Sequence, residues 1–470
     1  MATLAARSIP GPKVFPLLGW RSNLVKAFYT PFFYLPWLHK TYGNIATLAA
    51  GNLTYVVVFG PENNFKVLSN PDCFEVTKGT ILERMPADSA FSRMMLRNVA
   101  MERGKEHRRL RRLMQPAFHR KMLTCYHHNM VEMTQYVLER WETQNEFELN
   151  QEMKRITLRI IIKALFGLYD ERELERISTT IFQLNKAVPL ALILPVNLPG
   201  TPYHQTLRLG EELEQFFLKL IEQKRSQTEA TDVLAALIHA HDEDGSFLSE
   251  DELLSNTASL FLAGFETTMT SLTWVLFLLH QHPHILSDLL DELEGILQGN
   301  APTPEQIAQM PLLDGVIKES LRLLPPGSVG ARVTMTDCEL EGYEIPAGTN
   351  ILYSQFVTHR MPELYPEPNR FKPERWLTLK RTPYEYLPFG AGQHMCIGAG
   401  FAIYEMKIIL SVLLQRYRLQ FVPGTQVEPK VRMQPKYRLQ VKAVPQDRRF
   451  ERVPVRGRIL ELVDISDHEM

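Results

Sequence analysis

The sequence predicts a mainly α-helical protein with a smaller β region. Apolar residues recur at helical spacing over long stretches, 122–144, 152–166, 171–187 and 250–280, whereas the alternating, β-branched runs are short. With 470 residues, 45% of them hydrophobic, the chain can bury a large core, and it carries neither an internal repeat nor a low-complexity linker. One domain over residues 1–445 is therefore expected, followed by a charged tail, 446–470, to which no structure is assigned. A formal charge of -1 argues against general attraction to nucleic acid.

Near the start, Pro10, Pro12 and Pro16 punctuate a segment without a long apolar run, so neither a signal peptide nor a transmembrane anchor is expected. The four cysteines, Cys73, Cys125, Cys338 and Cys396, are too scattered for a disulfide framework or a zinc site, and a reducing, cytoplasmic setting follows. Residues 9–12 and 17–19 read as extended chain, because a residue before proline is kept out of the α region. An aromatic helical stretch covers 28–42. The β-branched run 45–59, broken at Gly51-Asn52, reads as a hairpin. Residues 74–103 mix Phe91, Met94, Met95, Leu96 and Val99 with charges and have no sustained period; a short core helix with a methionine stripe is one reading. Residues 104–113 then bring Arg108, Arg109, Arg111 and Arg112 into little more than one turn. A solvated charge run is the ordinary explanation, but helical spacing puts His107 with Arg111 on one face and Arg108 with Arg112 on the next.

Three prolines in 188–199 argue against a helix or a membrane span there. Ser249, with Glu252 three residues on, forms a capping box that opens the helix 250–280. Inside it Gly264 costs up to ~1 kcal/mol relative to alanine, which points to close packing or a distortion. Gly264, Thr267 and Thr268 are three and four apart, so a flat ligand could approach over Gly264 with the Thr267 hydroxyl aimed at whatever binds a metal. Glu319 and Arg322 lie one turn apart. Gly327-Ser328-Val329-Gly330 precedes Arg332, with glycines that leave space. The segment 343–348 looks like a turn between strands, and 417–422 and 437–444 alternate as strands.

Near the C-terminal end, Cys396 sits in a glycine-punctuated loop ahead of an apolar helical run, 401–414. Gly392 and Gly398 allow close backbone approach, and N–H groups at a helix start favour a thiolate. An isolated cysteine is ordinarily a small core residue; here the spacing decides otherwise. Phe389, Gly392, Cys396 and Gly398 match Phe-x-x-Gly-x-x-x-Cys-x-Gly, so the segment resembles the haem loop of the cytochrome P450 family. His394 stands where the family most often has arginine. Ala263-Gly264-Phe265-Glu266-Thr267-Thr268 is similar to the family's helix motif with an acid–alcohol pair, and Glu319, Arg322 and Arg375 resemble its buried Glu–Arg–Arg network.

That resemblance covers about residues 10–444 and implies the P450 fold, with haem b lying between the long helix and the Cys396 loop. Cys396 is the implied iron ligand, and Glu266 and Thr267 are the implied proton relay for O2 activation. His107 (where the family has tryptophan), Arg111, Arg332 and His394 are the implied propionate partners, with Gly264, Phe389 and Gly398 against the cofactor. By resemblance 74–103 covers the pocket and 188–199 roofs its entrance, with Phe91, Met94, Met95, Ser328 and Val329 as pocket residues. The implied activity is hydroxylation or epoxidation of a sizeable apolar molecule, a fatty acid or a terpenoid or retinoid-like compound. A peroxide-using haem-thiolate enzyme and a haem-binding sensor are the alternatives, and both are expected to lack the Glu266–Thr267 pair. With no dinucleotide fingerprint and no ferredoxin-like cysteine cluster, no bound flavin or iron–sulfur centre is expected. Electrons then come from a separate ferredoxin or flavodoxin and its NAD(P)H-dependent reductase, with Arg108 and Arg112 as docking candidates on an expected monomer.

Overall fold

A computed structural model describes residues 8–14, 19–77, 85–167, 171–193, 195–227 and 231–465; Leu17 and Leu18, expected to be extended, lie outside them. The capping box forms as the sequence predicts. Ser249 Oγ accepts from the Glu252 N–H and Glu252 Oε2 accepts from the Ser249 N–H, opening a helix that runs from Glu250 to Gln281. This helix is long and apolar enough to cross a membrane, yet most of its apolar window is buried inside the protein, with Phe261, Trp274 and Phe277 fully enclosed. It is the axis of the core. The helix Leu149–Phe166 packs along it, and Thr157 Oγ1 donates to the Phe265 carbonyl at 3.3 Å.

The β region is built around the predicted hairpin. Ile45–Thr47 pairs antiparallel with Tyr55–Val58, which pairs in parallel with Asn350–Tyr353; Gly330–Thr334 and Phe74–Glu75 complete the sheet. The space at Gly330, expected to be free for a ligand, is filled by the sheet itself: a Cβ there would stand 2.1 Å from Tyr353 Cζ. A second sheet joins Glu146–Glu148, Gln440–Pro445 and Tyr417–Phe421.

One expectation needs correction. The helix Glu171–Ile193 continues through Pro189, since one missing N–H within a packed helix is tolerated, and Pro195 and Pro199 fall beyond its end. The apolar residues after it, Val196 and Leu198, are exposed rather than buried. Within 74–103, the helix Ala90–Leu96, capped by Ser89, buries Phe91 and Met94 in the core, with the Phe91 backbone and Cβ set against Gly210 of the helix Pro202–Arg225. The methionine-stripe reading describes this segment.

The chain beyond the last strand is a strap. Ile459, Leu462 and Val463 are buried, the Gly424 N–H donates to the Pro454 carbonyl at 2.9 Å, and the Arg360 guanidinium donates to the Leu462 carbonyl at 3.1 Å. Its charges, which hid this from sequence, point outward from a short apolar series.

Candidate active site

The Cys396 loop is shaped by one glycine. Gly392 has φ +72°, a conformation that favours glycine, and a Cβ there would fall 1.9 Å from the Leu68 carbonyl oxygen. The turn therefore rests against the helix Pro61–Ser69. The Cys396 N–H donates to the Phe389 carbonyl at 2.9 Å, and the helix Ala399–Arg416 begins just after Gly398. Among the described residues, apart from its chain neighbours, no heavy atom lies within 4 Å of where a Gly398 side chain would start. Cys396 is an exposed free cysteine. Desolvation within the loop pushes the free thiol up, and the Gly398 N–H and the Arg111 charge act against that shift.

Across the core, the long helix offers a matching open face. Ala263 and Thr267 are exposed in the middle of a helix whose next turn is buried throughout. Thr267 Oγ1 donates to the Ala263 carbonyl at 2.9 Å. Glu266, one position earlier, is turned elsewhere: it accepts from Gln434 Nε2 at 2.6 Å and from Arg432 Nη1 at 3.3 Å. Gly264 serves the close packing that its cost in a helix predicts: a Cβ there would meet Ile161 Cδ1 at 2.7 Å.

Two histidines mark the edge of this region. The rings of His107 and His394 have centroids 3.8 Å apart, and none of their four nitrogens has a hydrogen-bond partner among the described residues. His394 Nε2 lies 3.4 Å from Glu75 Oε2 without hydrogen-bonding alignment. Burial, with His394 and the Arg111 charge beside His107 and the Arg332 and Arg111 charges beside His394, pushes both imidazoles down to about 4, so both are neutral near pH 7. Arg111 Nη1 donates to the Met395 carbonyl at 2.7 Å, and Arg332 is buried with Nη1 on the Ala331 carbonyl. Orphaned imidazole nitrogens beside two guanidinium groups suit a pair of carboxylates, the substituents that haem b carries, while Cys396 offers the single soft ligand that its iron takes. The residues present fit the cofactor.

The predicted network is present in full. Arg322 donates to both Glu319 oxygens at 2.8 and 2.9 Å, Arg375 Nε donates to Glu319 Oε1 at 3.0 Å, and Glu319 and Arg322 are completely buried. Sequence reasoning missed two members. Trp376 Nε1 donates to Glu319 Oε2 at 2.9 Å, and His359, kept neutral by burial, accepts from the Leu387 N–H at the mouth of the Cys396 loop while its carbonyl receives Arg322 Nη1. The fragment His359-Arg360 was the available signal. Of the remaining pocket candidates, Met95 and Val329 are half-buried; Ser328 is buried, its carbonyl receiving the Ser354 hydroxyl. The proposed partner face is half neutralised. Arg112 donates to both Asp242 oxygens at 2.6 and 2.8 Å and Arg109 to Glu252 at 2.8 Å, leaving Arg108 exposed.

A loop cysteine, an open threonine face and donors for two carboxylates on a mainly helical fold define a haem-thiolate enzyme. The sequence model of the family Cytochrome P450 matches residues 9–443, and the chain belongs to that family. It is 34% identical to cyclooctat-9-en-7-ol 5-monooxygenase of Streptomyces melanosporofaciens over 88% of this chain and 90% of the relative. It is 29% identical to pentalenene oxygenase of Streptomyces avermitilis over 91% and 94%. Among solved structures, retinoic acid bound cyanobacterial CYP120A1 superposes with a TM-score of 0.81 at 27% identity, covering 94% of this chain and all of the other. The protein is a cytochrome P450 monooxygenase that uses haem b and O2 on an apolar substrate.

Proposed function

We propose that this P450 oxidises a terpenoid or retinoid-like carbon skeleton in the cytoplasm, drawing electrons from a separate ferredoxin or flavodoxin. The observation that carries the substrate class is its similarity to proteins named for a cyclic alkenol, for pentalenene and for bound retinoic acid. Exposed Val196 and Leu198 add an apolar approach suited to such molecules. Apolar pockets discriminate weakly, each methylene contributing ~1–3 kcal/mol, so several related lipids should be accepted. Spectroscopic titration of the purified holoenzyme with cyclic terpenoids, retinoids, fatty acids and small polar aromatics tests this through the haem spin shift. Terpenoids or retinoids should bind most tightly; tight binding confined to polar aromatics would refute the assignment.

Bound haem supplies the redox centre at which O2 is reduced and one of its atoms is transferred to substrate. Cys396 would hold it through sulfur, and as a metal ligand that thiol would give up its proton. His107, Arg111, Arg332 and His394 would hold the carboxylates and thereby fix the cofactor's orientation, while Phe389 positions Cys396 through its carbonyl. Thr267 Oγ1, on the open face, delivers the proton. Glu266, held by Gln434 Nε2 and Arg432 Nη1, takes no direct part in this step.

For Thr267→Ala, product formation should fall by roughly 10²-fold, the lower range for loss of a positioned proton donor, while NAD(P)H consumption persists and hydrogen peroxide accumulates. Assaying NAD(P)H, peroxide and product together in the reconstituted system reads the coupling. Unchanged coupling would remove Thr267 from proton delivery.

A further inference from the structure

The side chains that suit the cofactor's carboxylates come from three separate elements: Arg332 from the strand Gly330–Thr334, His107 and Arg111 from the helix Gly104–Met114, and His394 from the Cys396 loop. Glu75 meets all three. Its strand, Phe74–Glu75, pairs antiparallel with Gly330–Thr334 and sets Glu75 opposite Val333, the neighbour of Arg332. Its Oε1 accepts from the Gly104 N–H at 3.0 Å, at the first turn of the helix. Its Oε2 accepts from the Val76 N–H at 3.3 Å and stands 3.4 Å from His394 Nε2, in contact but without a hydrogen bond.

The residue is buried, 5% exposed, where a carboxyl is costly unless its oxygens are satisfied. The Gly104 N–H is one of the donors that a helix start leaves without an intrahelical partner, and a carboxylate answers both that donor and the positive end of the helix dipole. Arg103 fastens the same junction in the opposite sense, its Nε donating to the Val76 carbonyl at 2.9 Å. Along the helix His107 follows Gly104 by about one turn and Arg111 by about two, so the placement of that first turn sets where both side chains stand. The His107 ring, packed on the His394 ring, closes the cluster.

We propose that Glu75 is a positioning residue for haem b, which holds the strand of Arg332, the helix of His107 and Arg111, and the His394 ring in the one arrangement that receives the cofactor's carboxylates. Glu75 has no donor to offer those carboxylates and acts only through the residues it places. The proposal rests on the reading of His107, Arg111, Arg332 and His394 as the carboxylate partners.

Transfer of haem from the holoenzyme to excess apo-globin reads cofactor retention, and resonance Raman spectra read the bending of the haem propionate groups. Glu75→Ala should release haem about 10-fold faster than the parent, the lower range for removing a residue that orients ligating groups, and should shift the propionate bands. Glu75→Gln keeps an acceptor for the Gly104 N–H but turns an amide N–H towards the Val76 N–H or His394, so it should fall between parent and Glu75→Ala in both readouts; it carries the test alone if Glu75→Ala does not fold. Parent-like release, faster release with unmoved propionate bands, or a Glu75→Gln variant equal to Glu75→Ala would each overturn the proposal. Arg332→Met tests the underlying reading separately. If its release and bands match the parent, the carboxylate assignment fails; if they change while the Glu75 variants behave as the parent, the Glu75 proposal alone fails.

Discussion

Cys396→Ser is expected to abolish the thiolate-type spectrum of the reduced carbon monoxide complex and to reduce monooxygenase turnover to background. The loop would survive the change, because its shape depends on Gly392 under the Leu68 carbonyl and on the bond from the residue 396 N–H to Phe389, neither of which involves sulfur. What is lost is the ligand's electron donation. A hydroxyl is far more basic than a thiol, remains protonated, and cannot push electron density onto the metal in the way that favours O–O cleavage. Far-ultraviolet circular dichroism should therefore match the parent while the spectrum changes. A variant that kept the thiolate-type spectrum would remove Cys396 from the site.

The second large effect lies away from the chemistry. Arg322→Met should destabilise the protein by ~3–5 kcal/mol, since it removes one partner of a fully buried ion pair and leaves Glu319 short of compensating charge. The same guanidinium also donates to the carbonyls of His359 and Pro368, at 2.8 and 2.7 Å, so the loss strips donors from backbone that has no water to turn to. His359 in turn carries the Leu387 N–H, and the disturbance reaches the start of the Cys396 loop. Denaturant unfolding of the variant should show the lower stability, accompanied by faster haem loss on dilution. Parent-like stability and haem retention would contradict the role given to the network.

What could be read from sequence was local. The Ser249–Glu252 capping box and the Glu319–Arg322 pair join residues three apart, and both form as expected. Gly392 declared a close backbone approach, although not that Leu68 makes it. The misreadings share one cause, contacts between distant segments. Gly330 looked like room for a ligand because Tyr353 lies in another strand. Arg112 looked free because Asp242 is 130 residues away, and Glu266 looked paired with Thr267 because Gln434 is 168 away. Pro189 marked a helix end that packing overrode. The four unpartnered nitrogens of His107 and His394 had no sequence signature beyond the two substitutions themselves, because their meaning depends on burial and on how closely the rings approach.

The central claim is that this chain inserts one atom of O2 into an apolar molecule using electrons from NAD(P)H. Mass spectrometry of the product formed under isotopically labelled O2, with reductase partners, NAD(P)H and the tightest-binding terpenoid or retinoid, tests it most directly. The account predicts a single labelled oxygen in the product and none without NAD(P)H. A product whose added oxygen comes from water, or unlabelled product formed only when peroxide is supplied, would contradict it.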